Sequence, residues 1–298
     1  MMLLLHVLML SLLSGGSAKV VQDFETECGQ FFANKTSPTR FPGERYKQIC
    51  QTLNNVYYYA TFYDTVKKNP VYSAYKFEGL KNCTRQNAWY IEPQLDDNNA
   101  SPDMKLEKDV KIQGLGKHQA LNGDYENSLY DRGHLAPVYQ AQSQSCAKAT
   151  FTLTNAAPQN PSFNRGQWRA LERNIAKELS DQCLPNKYSV YIVTGVVPGN
   201  NNINNRVTVP SHFWTAYCCL DNNNKCQNLE LVRFIGKNEN IGPDNISVAC
   251  LEAELEKLYE VTSFKLFNTS ENNENKLFQN KAPVSYCLKQ KLWYSCYF

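Results

Sequence analysis

Histidine is scarce in this chain of 298 residues, which holds only four: His6, His118, His134 and His212. That scarcity argues against a histidine-rich or multi-metal centre built on imidazole ligands. No C-x-x-C pair occurs, so the commonest zinc-binding spacing is missing as well. Beyond Leu13 no apolar run approaches the roughly 20 residues that a membrane-spanning helix needs. Internal repeats and low-complexity linkers are absent too, which points to one continuous domain. Charge of one sign is not in excess: 31 Lys and Arg stand against 28 Asp and Glu, a net of +3. Such a balance neither requires nor excludes a polyanionic partner.

What is present begins at the N-terminus. Met1–Leu13 is apolar and is followed by SGGSA and the first charge at Lys19. The run has the length of a signal-peptide core, with Gly16 and Ala18 at the −3 and −1 positions of a cut after Ala18, although no Lys or Arg precedes it. We therefore expect residues 1–18 to be a signal peptide and the mature chain to be secreted and extracellular, without a membrane span. Eleven cysteines follow the cut, the signature of an oxidising compartment. Disulfides are expected, with adjacent Cys218 and Cys219 bridging to different partners and Cys287 and Cys296 tying down the tail. An odd count leaves one thiol free or bridging to another chain, so a disulfide-linked dimer stays open and the oligomeric state is not set by the sequence. Asn34, Asn82, Asn245 and Asn268 each begin an N-x-S/T sequon and are glycosylation candidates.

Composition, 42% hydrophobic, suits a sizeable core. The aromatic and β-branched runs from Val56 and from Pro70 predict strands, as does Tyr188–Val197, expected to end at Pro198-Gly199. Asn200–Asn205 reads as a loop, followed by one or two strands over Val207–Pro210 and His212–Tyr217. Trp168, Leu171, Ile175 and Leu179 recur at helical spacing within Gly166–Leu179, and Ser247–Tyr259 predicts a second helix with Ser247 as its N-cap. The fold class expected is mixed α+β.

Three stretches carry chemistry: Tyr130–Pro137, Thr154–Gln159 and Phe163–Glu172. His134 follows a glycine, expected at the start of a strand, and a neutral imidazole is the commonest general base near pH 7. Arg132 offers a planar fork suited to phosphate oxygens. On a helix, Asn164, Trp168 and Glu172 would share one face, placing an amide oxygen and a carboxylate together as the hard donors that magnesium prefers. Arg165, Arg169, Arg173 and Lys177 form the adjoining stripe. Each feature alone has an ordinary structural reading, whether a satisfied core histidine, a solvated arginine stripe or Asn164 as a helix N-cap. Their conjunction suggests metal-assisted phosphodiester hydrolysis. His118 and His212 have no metal-type partner at a recognisable spacing and are expected to be structural.

In register, these stretches resemble the DNA/RNA non-specific endonuclease family: D-R-G-H at Asp131–His134, N-x-x-P-Q at Asn155–Gln159, and N-x-G-x-W-x-x-x-E at Asn164–Glu172. Cysteine content, leader and sequons make the chain most similar to the vertebrate endonuclease domain-containing branch. The resemblance implies a ββα-metal (His-Me finger) fold over residues 41–267, a mainly antiparallel sheet with flanking helices. Residues 19–40 would be an N-terminal extension and 268–298 a cysteine-containing tail. It further implies that His134 activates water, that Asn164 holds one Mg²⁺ (Mn²⁺ as alternative), and that Glu172 binds it through water. Asn155 and Arg132 would orient the site and the phosphate, with Arg85, Arg165 and Arg169 as further phosphate contacts. The family often has an upstream arginine where this chain has Asn87, and Arg85 lies two residues earlier. DNA, RNA or both are the expected partners. The alternative is a secreted nuclease-fold protein with weak or lost turnover that binds nucleic acid or a protein. A disulfide-linked structural glycoprotein is a third reading, supported by the odd cysteine alone.

Overall fold

Strand side chains alternate between two faces, and in this chain both faces are apolar. Along Val56–Asp64, Ala60 and Phe62 enter one core while Tyr59 enters another. Along Val207–Leu220, Trp214 and Ala216 face the first core, and Phe213 and Tyr217 the second. A sheet buried on both sides must carry layers on both sides, and it does. The computed structural model describes residues 19–227 and 233–267. The proposed signal peptide, the tail with Cys287 and Cys296, and Asn268 therefore lie outside the described residues.

Apart from a two-residue pair, Tyr90–Ile91 with Lys105–Leu106, the strands among the described residues are β1 (Lys19–Val21), β2 (Tyr46–Leu53), β3 (Val56–Asp64), β4 (Asn69–Phe77), β5 (Asp131–His134), β6 (Ala156–Gln159), β7 (Ser189–Ile203), β8 (Val207–Leu220), β9 (Cys226–Gln227), β10 (Arg233–Lys237) and β11 (Asp244–Ile246). A nine-stranded antiparallel sheet runs β1-β2-β3-β4-β7-β8-β10-β11, with β9 paired to β8. Strands β5 and β6 form a separate antiparallel ribbon.

Helices α1 (Phe24–Cys28) and α4 (Val248–Leu258) cover the first face, through Phe24 and through Leu251 and Leu255. Residues 19–40 are built into this core, with Phe31 and Phe32 buried and Cys28 bonded to Cys50. Ser247 caps α4, its Oγ accepting from the Cys250 N–H. On the second face lie the β5–β6 ribbon, α2 (Gln144–Ala149) and α3 (Arg169–Glu178).

Two expectations are corrected. Strand β7 does not end at Pro198-Gly199 but runs to Ile203, and Asn200–Ile203 is strand rather than loop. The chain reverses through Asn204 and Asn205, both at positive φ (46° and 55°), a conformation that Asn tolerates. Register shifts around Pro210 let a single β8 absorb that proline. The outer part of this hairpin packs Ile203, Val207 and Val209 against Ile91, Tyr125 and Leu153, a small core of its own. The disulfides among the described residues are Cys28–Cys50, Cys183–Cys219 and Cys218–Cys226, and Cys250 is also oxidised. Cys218 and Cys219 do part to different partners. Two cysteines among the described residues, Cys83 and Cys146, are not in these bonds.

Candidate active site

Helix α3 is fixed by its apolar stripe. Trp168, Leu171, Ile175 and Leu179 are buried in the second core, and Trp168 meets Phe163 and Phe213 at centroid separations of 5.4 and 5.7 Å. The helical run starts earlier than expected, at Pro161. Its N-cap is Asn160, whose Oδ1 accepts from the Ser162 and Phe163 N–H groups. Asn164 is thus not the N-cap. Between them and α3 lies one π-turn, Asn164–Trp168, where Gly166 leaves helical geometry (φ −102°, ψ −106°). The extra residue in that turn separates side chains that a regular helix would align. Trp168 goes into the core, while Asn164, Arg165, Arg169, Glu172 and Arg173 line a cleft of about 710 Å³. The single-face reading of Asn164, Trp168 and Glu172 is corrected accordingly.

The opposite wall is the β5 strand, with Asp131, Arg132 and His134, together with Lys81, Arg85 and Trp89. His134 is the last residue of β5 rather than the start of a strand. The glycine before it is required by packing, because a Cβ at Gly133 would overlap the side chain of Gln159 on β6. Beyond His134 the chain is stapled by Asn155. Its Oδ1 accepts from the Ala136 N–H at 2.9 Å, and its Nδ2 donates to the Ala136 and Thr150 carbonyls at 3.0 Å each. Asn155 is fully buried and is not on the cleft wall. It positions the residues after His134 rather than meeting a ligand.

His134 is buried between Trp89 and Phe151, with ring centroids 4.8 Å away in each case. Burial, assisted by the positive charge of Arg85, lowers its pKa to about 3, so the imidazole is neutral at physiological pH. Its Nε2 is sealed from solvent without a partner. Glu172 is half-buried on the cleft wall. Burial raises its carboxyl to about 8, against the pull of Arg85, Trp168, Arg169 and Arg173. Gln140 anchors the same turn by donating to the Glu172 carbonyl at 2.9 Å.

Asp131 organises the third corner. Its Oδ2 accepts from Asn164 Nδ2 and from Arg165 Nε, each at 2.9 Å, and its Oδ1 accepts from Arg165 at 2.6 Å. Arg132 is held over Trp89 and Tyr125 and donates to the Asn122 carbonyl at 3.1 Å. Arg85 lies over the Phe151 ring and on the cleft wall, while Asn87 is not among the lining residues. In all, Lys81, Arg85, Arg132, Arg165, Arg169 and Arg173 face only two carboxylates, Asp131 and Glu172. The cleft is strongly cationic although the chain is nearly neutral, and it suits a polyanion.

The donor set fits one hard cation. With its N–H group taken by Asp131, Asn164 has its Oδ1 left as an acceptor on the cleft wall, and Glu172 adds a carboxyl nearby, which a bound cation would help to ionise. Among the described residues no group of three or more His, Cys, Asp or Glu gathers for a metal. An ion at Asn164 would therefore keep most of its water shell, as magnesium does.

Trp89, Lys81 and Arg173 were not among the expected site residues. Arg173 belonged to the recognised arginine stripe, and Trp89 lies just after the Arg85 and Asn87 positions compared with the family without a role of its own. Nothing in the sequence marked Lys81. His118 and His212 lie away from the cleft, His118 with Asp96 at 3.4 Å and His212 beside Ser211 at 3.0 Å.

A sequence model of the DNA/RNA non-specific endonuclease family matches residues 41–273. The human Endonuclease domain-containing 1 protein is 35% identical over 196 residues, 65% of this chain and 39% of that protein. Human mitochondrial Endonuclease G is 35% identical over 112 residues, covering 33% of this chain and 36% of its own. Nuclease C1 of Cunninghamella echinulata var. echinulata is 38% identical over 136 residues, 41% of this chain and 51% of its own. A solved EndoG/EndoGI complex superposes with a TM-score of 0.48 and 21% identity, covering 74% of this chain and 86% of that one. The chain spans about two fifths of the length of the human and mouse Endonuclease domain-containing 1 proteins. No helix among the described residues is long and apolar enough to cross a membrane.

Proposed function

This chain belongs to the DNA/RNA non-specific endonuclease family, and on that premise we propose that it is a secreted endonuclease that hydrolyses phosphodiester bonds of DNA, RNA or both. The observation that carries the reading is a neutral, buried His134 in a cleft lined by six cationic side chains. Recognition through phosphates carries no base information, so cleavage would be independent of sequence.

In this reading Arg85, Arg132 and Arg169 hold the phosphates flanking the scissile bond, with Lys81 and Arg173 extending the track. Arg165 joins them while remaining paired to Asp131. His134 would take the proton of the attacking water, and since Nε2 is sealed, Nδ1 is the nitrogen proposed for it. A free imidazole with so low a pKa is a weak base. Burial is the main cause, and phosphate binding relieves only the smaller effect of Arg85, so the substrate raises the basicity of His134 in part. Asn164 through Oδ1, and Glu172 through water, would hold Mg²⁺, with Mn²⁺ as the alternative. When bound, that ion supplies Lewis-acid stabilisation of the charge developing on the phosphate and the leaving oxygen. Trp89 and Phe151 keep bulk water away from the inner edge of His134.

Secretion rests on the leader and on the oxidised cysteines, and glycosylation is proposed at Asn34, Asn82, Asn245 and Asn268. The test is digestion of plasmid DNA and of RNA by the full chain in Mg²⁺, in Mn²⁺ and in EDTA. The proposal expects cleavage with the metals and none with EDTA. Intact substrates from folded protein across several divalent ions would contradict it.

A further inference from the structure

Seven of the cysteines among the described residues are oxidised, and two are not. Those two are neighbours in space. Cys83 lies in the segment between β4 and Trp89 and lines the cleft with Lys81 and Arg85. Cys146 is on α2, buried with Ala141 and Ala147, and Cys83 packs against the same cluster. The Cys83 Sγ is directed at the Ala141 carbonyl oxygen, 3.8 Å away. The two cysteines thus share one small cluster, with the Cys83 sulfur directed at the loop that leads into the helix carrying Cys146.

The surrounding backbone is pinned in this arrangement. Gln144 Oε1 accepts from the Thr84 N–H at 2.8 Å and from Thr84 Oγ1 at 3.1 Å, and Gln144 Nε2 donates to the Thr84 carbonyl at 3.0 Å. This clamp lies one residue from Cys83 and two from Cys146. We propose that Cys83 and Cys146 join in a further disulfide, which straps the segment carrying Lys81 and Arg85 to α2 at the rim of the cleft.

The order of the chemistry follows from exposure. Cys83, partly exposed, attacks one sulfur of a low-molecular-weight disulfide such as oxidised glutathione, forming a mixed disulfide and releasing one glutathione thiolate. Cys146 then loses its proton and attacks the Cys83 sulfur, expelling the second thiolate. Two cysteine thiols give up two electrons and two protons, and one glutathione disulfide becomes two glutathione thiols. Cys146 is the resolving thiol because burial pushes it up to about 11. The consequence for Arg85 as a phosphate contact rests on the nuclease reading, whereas the bond itself does not.

The test is peptide mapping of the full chain from oxidising secretion, denatured and alkylated without reductant. The inference expects a peptide linking Cys83 to Cys146 that disappears on reduction, and no alkylation of either residue before it. Cys83→Ser and Cys146→Ser should each expose the other thiol to alkylation while the Cys28–Cys50, Cys183–Cys219 and Cys218–Cys226 peptides persist. Both variants should also raise the KM for nucleic acid by a similar several-fold factor, and the double variant by no more than either. Alkylation of both residues in the wild type would overturn the inference, as would either one bridging to a different cysteine or another chain. The mapping reads the bond whether or not digestion is ever observed.

Discussion

Asn164 donates its side-chain amide to Asp131 at 2.9 Å across 33 positions of sequence, and the same carboxylate oxygen accepts from Arg165 at 2.9 Å. One carboxylate thus sets which end of the Asn164 amide faces the cleft. It does so from the β5 strand, three residues before His134. The proposed base and the proposed metal ligand are therefore positioned by the same strand.

Removing the charge of Asp131 tests that relationship. Asp131→Asn leaves the fold intact but lets the Asn164 amide turn, since a neutral amide holds the N–H group less firmly. Loss of such an outer partner typically costs about 10–100-fold in metal affinity or activity. We expect the Mg²⁺ concentration for half-maximal cleavage to rise within that range, measured by metal titration of the digestion rate. An unchanged titration curve would show that Asp131 does not orient the ligand.

Burial first, and the charge of Arg85 second, disfavour the imidazolium form of His134, whose pKa is lowered to about 3 from an ordinary 6.5. The acid limb of kcat/KM should accordingly lie below pH 6.5 in the wild type. Arg85→Ala removes a cation, so the imidazole pKa rises and the acid limb moves to higher pH, while KM increases through loss of a phosphate contact. A pH profile of both proteins checks the direction. A shift toward lower pH would contradict the assigned role.

Burial raises Glu92 to about 7 from an ordinary 4.5, and its carboxyl accepts from Thr152 Oγ1 at 2.9 Å. Between those values the unfolded chain is ionised there while the folded one holds the proton. The stabilising contribution is present below the unfolded pKa and is lost as pH rises through about 7, an effect on the order of 3 kcal/mol. Glu92→Gln does not titrate, so urea unfolding with disulfides intact should show the variant gaining on the wild type between pH 5 and pH 8. Parallel behaviour of the two proteins would contradict the burial argument.

Gly133 has no room for a side chain beneath Gln159. Gly133→Ala must displace β5 against β6 and should cost about 1–3 kcal/mol. Because the shifted strand carries His134, activity should fall more than global stability does. Comparing residual activity with the thermal midpoint of the folded variant separates the two effects.

The chemistry was legible in the sequence where it lies in one short span. Asp131, His134, Asn164 and Glu172 meet because a ribbon and one helix bring them together over about 40 residues. The helix phase was not legible, because the π-turn at Gly166 adds one residue to a turn without any change of pattern, and it sends Trp168 to the core. Asn155 stands out in the sequence as an orienting residue, but its partners, the backbone of Ala136 and Thr150, are set by the fold and not by any spacing. Lys81 reaches the cleft only through the path of the chain after β4, which no local spacing records. Pro198-Gly199 resembled a strand end because pairing irregularities around Pro210 have no signature of their own.

The central claim is that His134 takes the proton from the attacking water. It is tested most directly by timed digestion of DNA and of RNA with wild-type protein and His134→Ala, folded and in Mg²⁺. General-base catalysis of this kind contributes about 10²–10⁴-fold, so the variant should lose activity by at least that factor while still binding nucleic acid. Cleavage by His134→Ala at the wild-type rate would contradict the account.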